Sequence, residues 1–352
     1  MVVHQVEVKN DIFLPLPFIR NVFAVLFLFS SAGFLFPMGK TGNDAPGYYD
    51  GLTEDVNNGF YEHAEVFTQV TAAPSAPLAV QEPPQSSRAE QVMKALAAAY
   101  PDRIGEAEPR DGDWAVPVLD EWFYYAQGRL LPEALKDKAE EYDPQPFYTY
   151  TLGIPTWRDP EPEETERFRN TAQRRREHPP KRSQHFYDAL WQAHTREEAY
   201  ERVKTIRFFN RNVLVHYAIL EEIALVEARI LRDAQTDPLV REWIRSIETL
   251  SGWAWRDIAD TQSRSFHAYG TAVDILPASR SGRETYWLWT SQYNPQWWEV
   301  PFTRRLHPPD KIITAFEAYG FIWGGKWLFY DTMHFEYRPE IFLLNNLPMN
   351  HY

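Results

Sequence analysis

Two short segments, residues 265–274 and 331–336, constrain this chain more than anything else in it. The first reads Ser265, Phe266, His267, Ala268, Tyr269, Gly270, Thr271, Ala272, Val273, Asp274; the second reads Asp331, Thr332, Met333, His334, Phe335, Glu336. His267 and Asp274 lie seven positions apart, which no single helix face accommodates, because neighbours there are three or four apart. The spacing predicts a loop that delivers His267, turns at Gly270 and enters a strand carrying Asp274, with small residues at Gly270 and Ala272 letting the turn pass close to an ion. His334 belongs to a separate strand, and Asp331 sits in the loop before it. Any fold of this chain that uses them together must draw three distant points into one place. Two histidines and a carboxylate are the donor set that holds a zinc ion with a fourth position open. Asp331, three residues before His334, stands where a general base is needed.

Composition narrows the chemistry further. There is no cysteine, so disulfides, thiolate nucleophiles, Cys-ligated zinc and the lipid-attachment cysteine of a lipoprotein are all excluded. Any metal site is therefore built from His, Asp and Glu. A net charge of -13 argues against a nucleic-acid partner, which would demand a basic face. With 44% hydrophobic residues and 13 Trp, the 352-residue chain can bury a sizeable core, so global disorder is excluded.

The pattern along the chain divides it into five parts. Residues 21–38 carry no charge and follow Arg20, which marks 1–38 as a secretory leader or a short membrane anchor. Residues 39–88 are loop-like and end in a Pro/Ala/Ser-rich stretch, a tether unable to bury enough apolar area to order itself. Residues 89–158 have folded character: a helix over 92–100 stopped by Pro101, then strands over 114–118 and 121–126 around a tight turn at Leu119 and Asp120. The aromatic run from Trp122 to Tyr125 reads as strand core, with a sugar-stacking platform as the alternative. This region is a small accessory module of unassigned role. Residues 159–200 open acidic and turn basic, the pattern of a charged linker or exposed helix. From 201 to 345 the patterning is regular: a strand over 206–209, a helix over 214–231, and a second helix from Asp237 and Pro238 to about 250. A third helix over 310–319 ends at Gly320, and strands follow over 272–276, 321–323 and 334–337. Helices with a few antiparallel strands make an α+β domain: a small, mostly antiparallel sheet with flanking helices.

The motifs carry a resemblance. From about 208 to 339 the chain resembles the VanY-like D-alanyl-D-alanine carboxypeptidases, zinc peptidases that include the L-alanyl-D-glutamate endopeptidases of phage lysins. The matching blocks are Trp255-Arg256-Asp257-Ile258, the Ser265 to Asp274 motif, Gly320-Phe321-Ile322-Trp323-Gly324-Gly325 and Asp331 to Glu336. The resemblance implies a hedgehog/DD-peptidase-like fold, Zn2+ held by His267, Asp274 and His334, and Asp331 as catalytic base. It implies that Arg256 steadies the substrate carbonyl or oxyanion, where a surface ion pair is the alternative. Ser265 either binds substrate or fixes the loop, and Glu336 either orients His334 or is an exposed strand residue. Carboxypeptidase and dipeptidase members commonly carry Glu-x-x-His-Trp at the second motif. Asp331 and Phe335 depart from that pattern toward the endopeptidase branch. The expectation is an exported zinc peptidase of the bacterial periplasm or cell envelope acting on peptidoglycan stem peptides. A zinc-binding, non-catalytic wall-binding module is the rival.

Overall fold

The computed structural model describes residues 87–154, 158 and 160–350. The expected leader or anchor at 1–38 and nearly all of the tether at 39–88 lie outside the described residues, and all of the described residues fall in one compact unit. Among them, no helix is long and apolar enough to cross a membrane.

Helix α1 (Arg88–Ala99) begins at Ser87, whose hydroxyl accepts from Glu90 N, and it buries Val92, Met93 and Leu96. A four-stranded antiparallel meander follows: β1 (Glu108–Arg110), β2 (Asp113–Val118), β3 (Glu121–Tyr124) and β4 (Leu131–Pro132). The β2–β3 hairpin turns at Leu119 and Asp120, with Leu119 in the left-handed region. Phe123 and Tyr124 are buried and Trp122 is half-buried, so the aromatic run is strand core, not an open platform.

Of the two readings of the 159–200 segment, the helical one fits the structure and the linker does not: residues 160–202 hold three helices, the mostly exposed α2 (Pro162–Glu177), α3 (His185–Trp191) and α4 (Arg196–Arg202). The acidic-then-basic order that reads as a linker is the charge pattern of one helix. Glu163 and Glu164 occupy the first turn of α2 and Arg174, Arg175 and Arg176 the last, each complementing the helix dipole. Pro162 at the first helical position and a Glu161–Glu164 capping box open it. Helix α3 is core: Phe186, Leu190 and Trp191 are fully or almost fully buried.

Strands β5 (Val203–Phe208) and β6 (Arg211–His216) form a hairpin whose two turn residues, Phe209 and Asn210, both have positive φ. That is the twist a two-residue hairpin requires. Residues 214–216 therefore belong to β6, and the helix predicted from 214 starts later, as α5 (Leu220–Thr236). The alternating buried Val213 and Val215 hold this stretch extended. Helix α6 (Pro238–Ser246) is capped by Asp237, which accepts from Leu239 N and Val240 N. It also ends earlier than predicted, because β7 (Ile247–Ser251) leaves it to join a sheet. After the one-turn helix α7 (Phe266–Tyr269) come β8 (Ala272–Pro277), α8 (Trp287–Ser291), α9 (Asp310–Glu317), β9 (Phe321–Trp323), β10 (His334–Tyr337) and α10 (Pro339–Leu344). The central sheet runs β7-β8-β10-β9, all antiparallel. The architecture is α+β, as the patterning predicts.

One large hydrophobic core joins most of these elements, while Ala172 of α2 and Trp287 of α8 pack in a second, smaller cluster with Trp297, Val300 and Tyr330. Leu96 and Val116 from the first 150 residues, Trp191 from α3, and Ile223, Phe316, Phe335 and Phe342 from the rest belong to a single buried cluster. Phe335 on β10 stacks on Phe316 of α9, with ring centroids 4.0 Å apart. Side chains alternate across a strand, so His334 and Glu336 project from the opposite face of β10.

Candidate metal centre

Strand register brings the donors together. His334 of β10 lies directly opposite Asp274 of β8, and side chains directly opposite on antiparallel strands stand close enough to touch. His267 arrives from the side on α7 and not on the loop expected from its spacing. Ser265 caps that helix by accepting from His267 N at 3.3 Å, and Gly270 ends it with φ of 74°. A side chain at Gly270 would collide with β5 and β6, where a Cβ would lie 2.7 Å from Val203 Cγ1 and 2.9 Å from His216 N. The glycine thus seats α7 against this hairpin; strand packing, not clearance around an ion, demands it.

The three side chains meet as a near-equilateral triangle. His267 Nε2 is 3.0 Å from Asp274 Oδ1 and 3.1 Å from His334 Nδ1, and His334 Nδ1 is 3.0 Å from Asp274 Oδ1. Among the described residues this is the one His/Asp/Glu group whose geometry could hold a metal ion. Both outer ring nitrogens are already engaged. His267 Nδ1 donates to the Gly252 carbonyl at 2.6 Å, and His334 Nε2 donates to Glu336 Oε2 at 3.0 Å. A carbonyl and a carboxylate can only accept, so in neutral rings the inner nitrogens present lone pairs to each other and to Asp274. Three electron-rich atoms at that distance repel unless a proton or a cation sits among them. Zinc bonds of about 2.0–2.2 Å would place tetrahedral donors roughly 3.3 Å apart, close to the observed edges. The residues therefore fit a divalent ion, with the outer partners fixing each ring as metal-binding histidines require.

Titration follows the same crowding. Burial opposes a charge on His334, but its hydrogen bonds to Asp274 and Glu336 outweigh that and hold the imidazolium up to about 10. Burial would raise Asp274, yet the two histidines win and keep it well below the usual carboxylate range.

Asp331 stands beside the triangle, its backbone N–H donating to Gly324 O at 3.1 Å. Its Oδ1 is buried and has no hydrogen-bond partner among the described residues. Burial first, and the charge of Asp274 second, push this carboxyl up to about 7. Arg256 is exposed at the rim. Its side chain makes a 3.5 Å contact to Asp257 O, and its charge acts on Asp331 and Tyr286. Ser265 is buried and its hydroxyl serves α7, which places it behind His267. The structure thus gathers His267, Asp274, His334 and Asp331, with Arg256 at the edge and Ser265 in a capping position.

Two contributors escape a reading of the sequence. The Gly252 carbonyl that orients His267 carries no side-chain signal. Tyr286, half-buried beside Asp331 through an isolated β-bridge, is pushed up to about 12 by burial and by Asp331. It lies in a stretch without a motif.

Comparison with known proteins gives two matches. Residues 259–337 match the family described as D-alanyl-D-alanine carboxypeptidase, a span that contains the triangle, Ser265, Asp331 and Glu336 and begins just after Arg256. Residues 92–147 match a domain of unknown function. No curated protein and no solved structure matches the chain.

Proposed function

We propose, from a segment at 259–337 that belongs to the D-alanyl-D-alanine carboxypeptidase family, that this protein is a zinc-dependent peptidase. Its substrates are peptidoglycan stem peptides, and it works outside the cytosol, in the periplasm or cell envelope. The observation that carries the reading is the triangle of His267, Asp274 and His334, with the unpartnered Oδ1 of Asp331 beside it. A zinc ion bound there supplies Lewis acidity toward a carbonyl and a water of lowered pKa.

The chain's own residues supply the rest. Asp331, raised to about 7 by burial and by Asp274, is matched in basicity to accepting a proton near neutral pH. Its buried Oδ1 takes the proton of the attacking water and returns it to the departing amine nitrogen. Arg256, exposed and close enough to act on Asp331, offers a charged donor to the substrate's carbonyl oxygen as negative charge develops there. Gly252 and Glu336 keep both imidazoles turned inward. A purely zinc-binding wall module would have no use for a buried carboxylate oxygen left without a partner at Asp331 Oδ1. The motif Asp331-x-x-His334-Phe335 favours the endopeptidase mode over removal of a terminal D-alanine.

The test is mass analysis of muropeptides after incubation with the purified, zinc-loaded protein. Hydrolysed stem peptides are expected, with no product from His334→Ala or after chelation. Muropeptides left intact by wild-type protein that holds one equivalent of zinc would leave the non-catalytic reading.

A further inference from the structure

A chain of buried charges leads away from the back of the metal centre. Behind His334, Glu336 accepts from the ring with one oxygen and from Arg338 Nη1 with the other, at 3.3 Å. Arg338 Nε donates to Glu340. Glu340 in turn accepts from Tyr100 Oη at 2.7 Å, and Arg338 Nη2 donates to the Pro146 carbonyl at 3.2 Å. Arg338 and Glu340 are completely buried and Glu336 nearly so. The guanidinium also lies over the rings of Phe266, 4.8 Å away, and Tyr187, 5.6 Å away. Phe266 is the neighbour of His267 on α7, so Arg338 braces both histidines.

Such a chain is expensive. Burying three charged side chains costs several kcal/mol per ion, which mutual attraction recovers only with good geometry and satisfied hydrogen bonds. A core residue would fill the same space at lower cost, so stability alone gives no reason for it. The satisfying partners at its far end, Tyr100 at the end of α1 and the carbonyl of Pro146, both come from the first 150 residues. Without them, Glu340 would lose its hydroxyl donor and Arg338 one of its acceptors, and the carboxylate that orients His334 would be free to turn.

We infer that residues 88–150 complete the outer shell of the metal centre, with Tyr100 and Pro146 fixing Arg338 and Glu340, and through them Glu336 and His334. This assigns a positioning role to the region matched as a domain of unknown function, and it rests on the zinc reading above. Arg338, Glu340 and Tyr100 are positioning residues, since none of them touches the reacting atoms.

The test measures zinc affinity of the full chain by competition with a chelator, together with the visible absorption of the Co(II)-loaded protein. Arg338→Lys is expected to weaken zinc binding about 10- to 100-fold, the usual loss for an outer-shell partner. Tyr100→Phe, which removes one hydrogen bond, should cost about three- to tenfold and shift the Co(II) bands. The control is Tyr150→Phe. Tyr150 Oη donates to buried Glu317 at 2.8 Å and accepts from Trp323 N at 2.9 Å, a Tyr–Glu pair from the same region whose carboxylate is held by Lys326 and not by the chain behind His334. Its affinity should stay within about twofold of wild type. Equal losses in Tyr100→Phe and Tyr150→Phe, or wild-type affinity and spectrum in Tyr100→Phe, would overturn the inference while leaving the zinc reading intact. A wild-type protein that binds no zinc would instead remove both.

Discussion

Asp331 and Gly252 show two ways in which one residue controls the centre. Asp331 contributes one uncommitted oxygen: its Oδ1 is buried without a partner among the described residues. Asp331→Asn keeps the shape and removes the basicity, so zinc content should be unchanged. Turnover should fall by about 10²- to 10⁴-fold, the range for loss of a general base. Parallel metal analysis and kinetics check this, and a near-normal rate removes Asp331 from the chemistry. Gly252 contributes only backbone. A Cβ there would lie 2.1 Å from Leu214 O, against which the segment is pinned by a Trp253 N to Leu214 O hydrogen bond of 2.8 Å. Gly252→Ala should push the carbonyl away from His267 Nδ1 and weaken zinc binding even though no ligand has changed. Chelator competition would show it, and wild-type affinity in a folded Gly252→Ala protein would contradict the assignment.

At the scale of elements, the β5–β6 hairpin and α7 act as one unit, because Gly270 O accepts from His216 N at 2.8 Å. His216 is fully buried. Its Nδ1 accepts from Ala218 N at 3.1 Å and its Nε2 donates to Trp191 O at 3.0 Å, so the neutral ring satisfies both partners. A second proton would point at an N–H. Burial accordingly lowers this imidazole from 6.5 to about 4. Below pH 6.5 the unfolded chain takes up a proton that the folded chain refuses until about pH 4. Stability from this group is therefore complete above pH 6.5 and is lost as pH falls through that window. The loss is at most about 3 kcal/mol. His216→Asn retains an acceptor for Ala218 N and does not titrate there. Urea midpoints of the variant should vary less than wild type between pH 4 and 6.5, and parallel curves would refute the assignment.

Across the described molecule, residues 92–150 and the sheet that holds the centre share one core. Unfolding of the described region should therefore be a single calorimetric transition. Leu96→Ala, deep in α1, should destabilise that transition by about 2–5 kcal/mol. Two separable transitions, with only one moved by the substitution, would show independent domains.

Much of this was legible from local pattern. The helix stopped by Pro101, the helices opened at Asp237 and Asp310, the turn at Leu119, and the strands carrying Asp274 and His334 follow from capping residues, proline placement and alternation, all of which act within a few neighbours. The Ser87 cap and Arg88, where α1 begins, fall instead in the stretch that reads as tether. The absence of cysteine, together with His267, Asp274 and His334, limited the donors of any metal site in advance. The elements misjudged or left open from sequence are those where local signals compete. Residues 214–216 fit a helical stripe but are held extended by pairing with β5, and the charges of 159–182 describe a linker as well as they describe α2. What only the tertiary structure decided was the pairing of His334 opposite Asp274, the capture of His267 by a backbone carbonyl, and the reach of Tyr100 across 240 positions to Glu340. Sequence encodes chemical identity and short-range preference. Contact between distant residues comes from strand register and shared burial, which depend on the whole core closing at once.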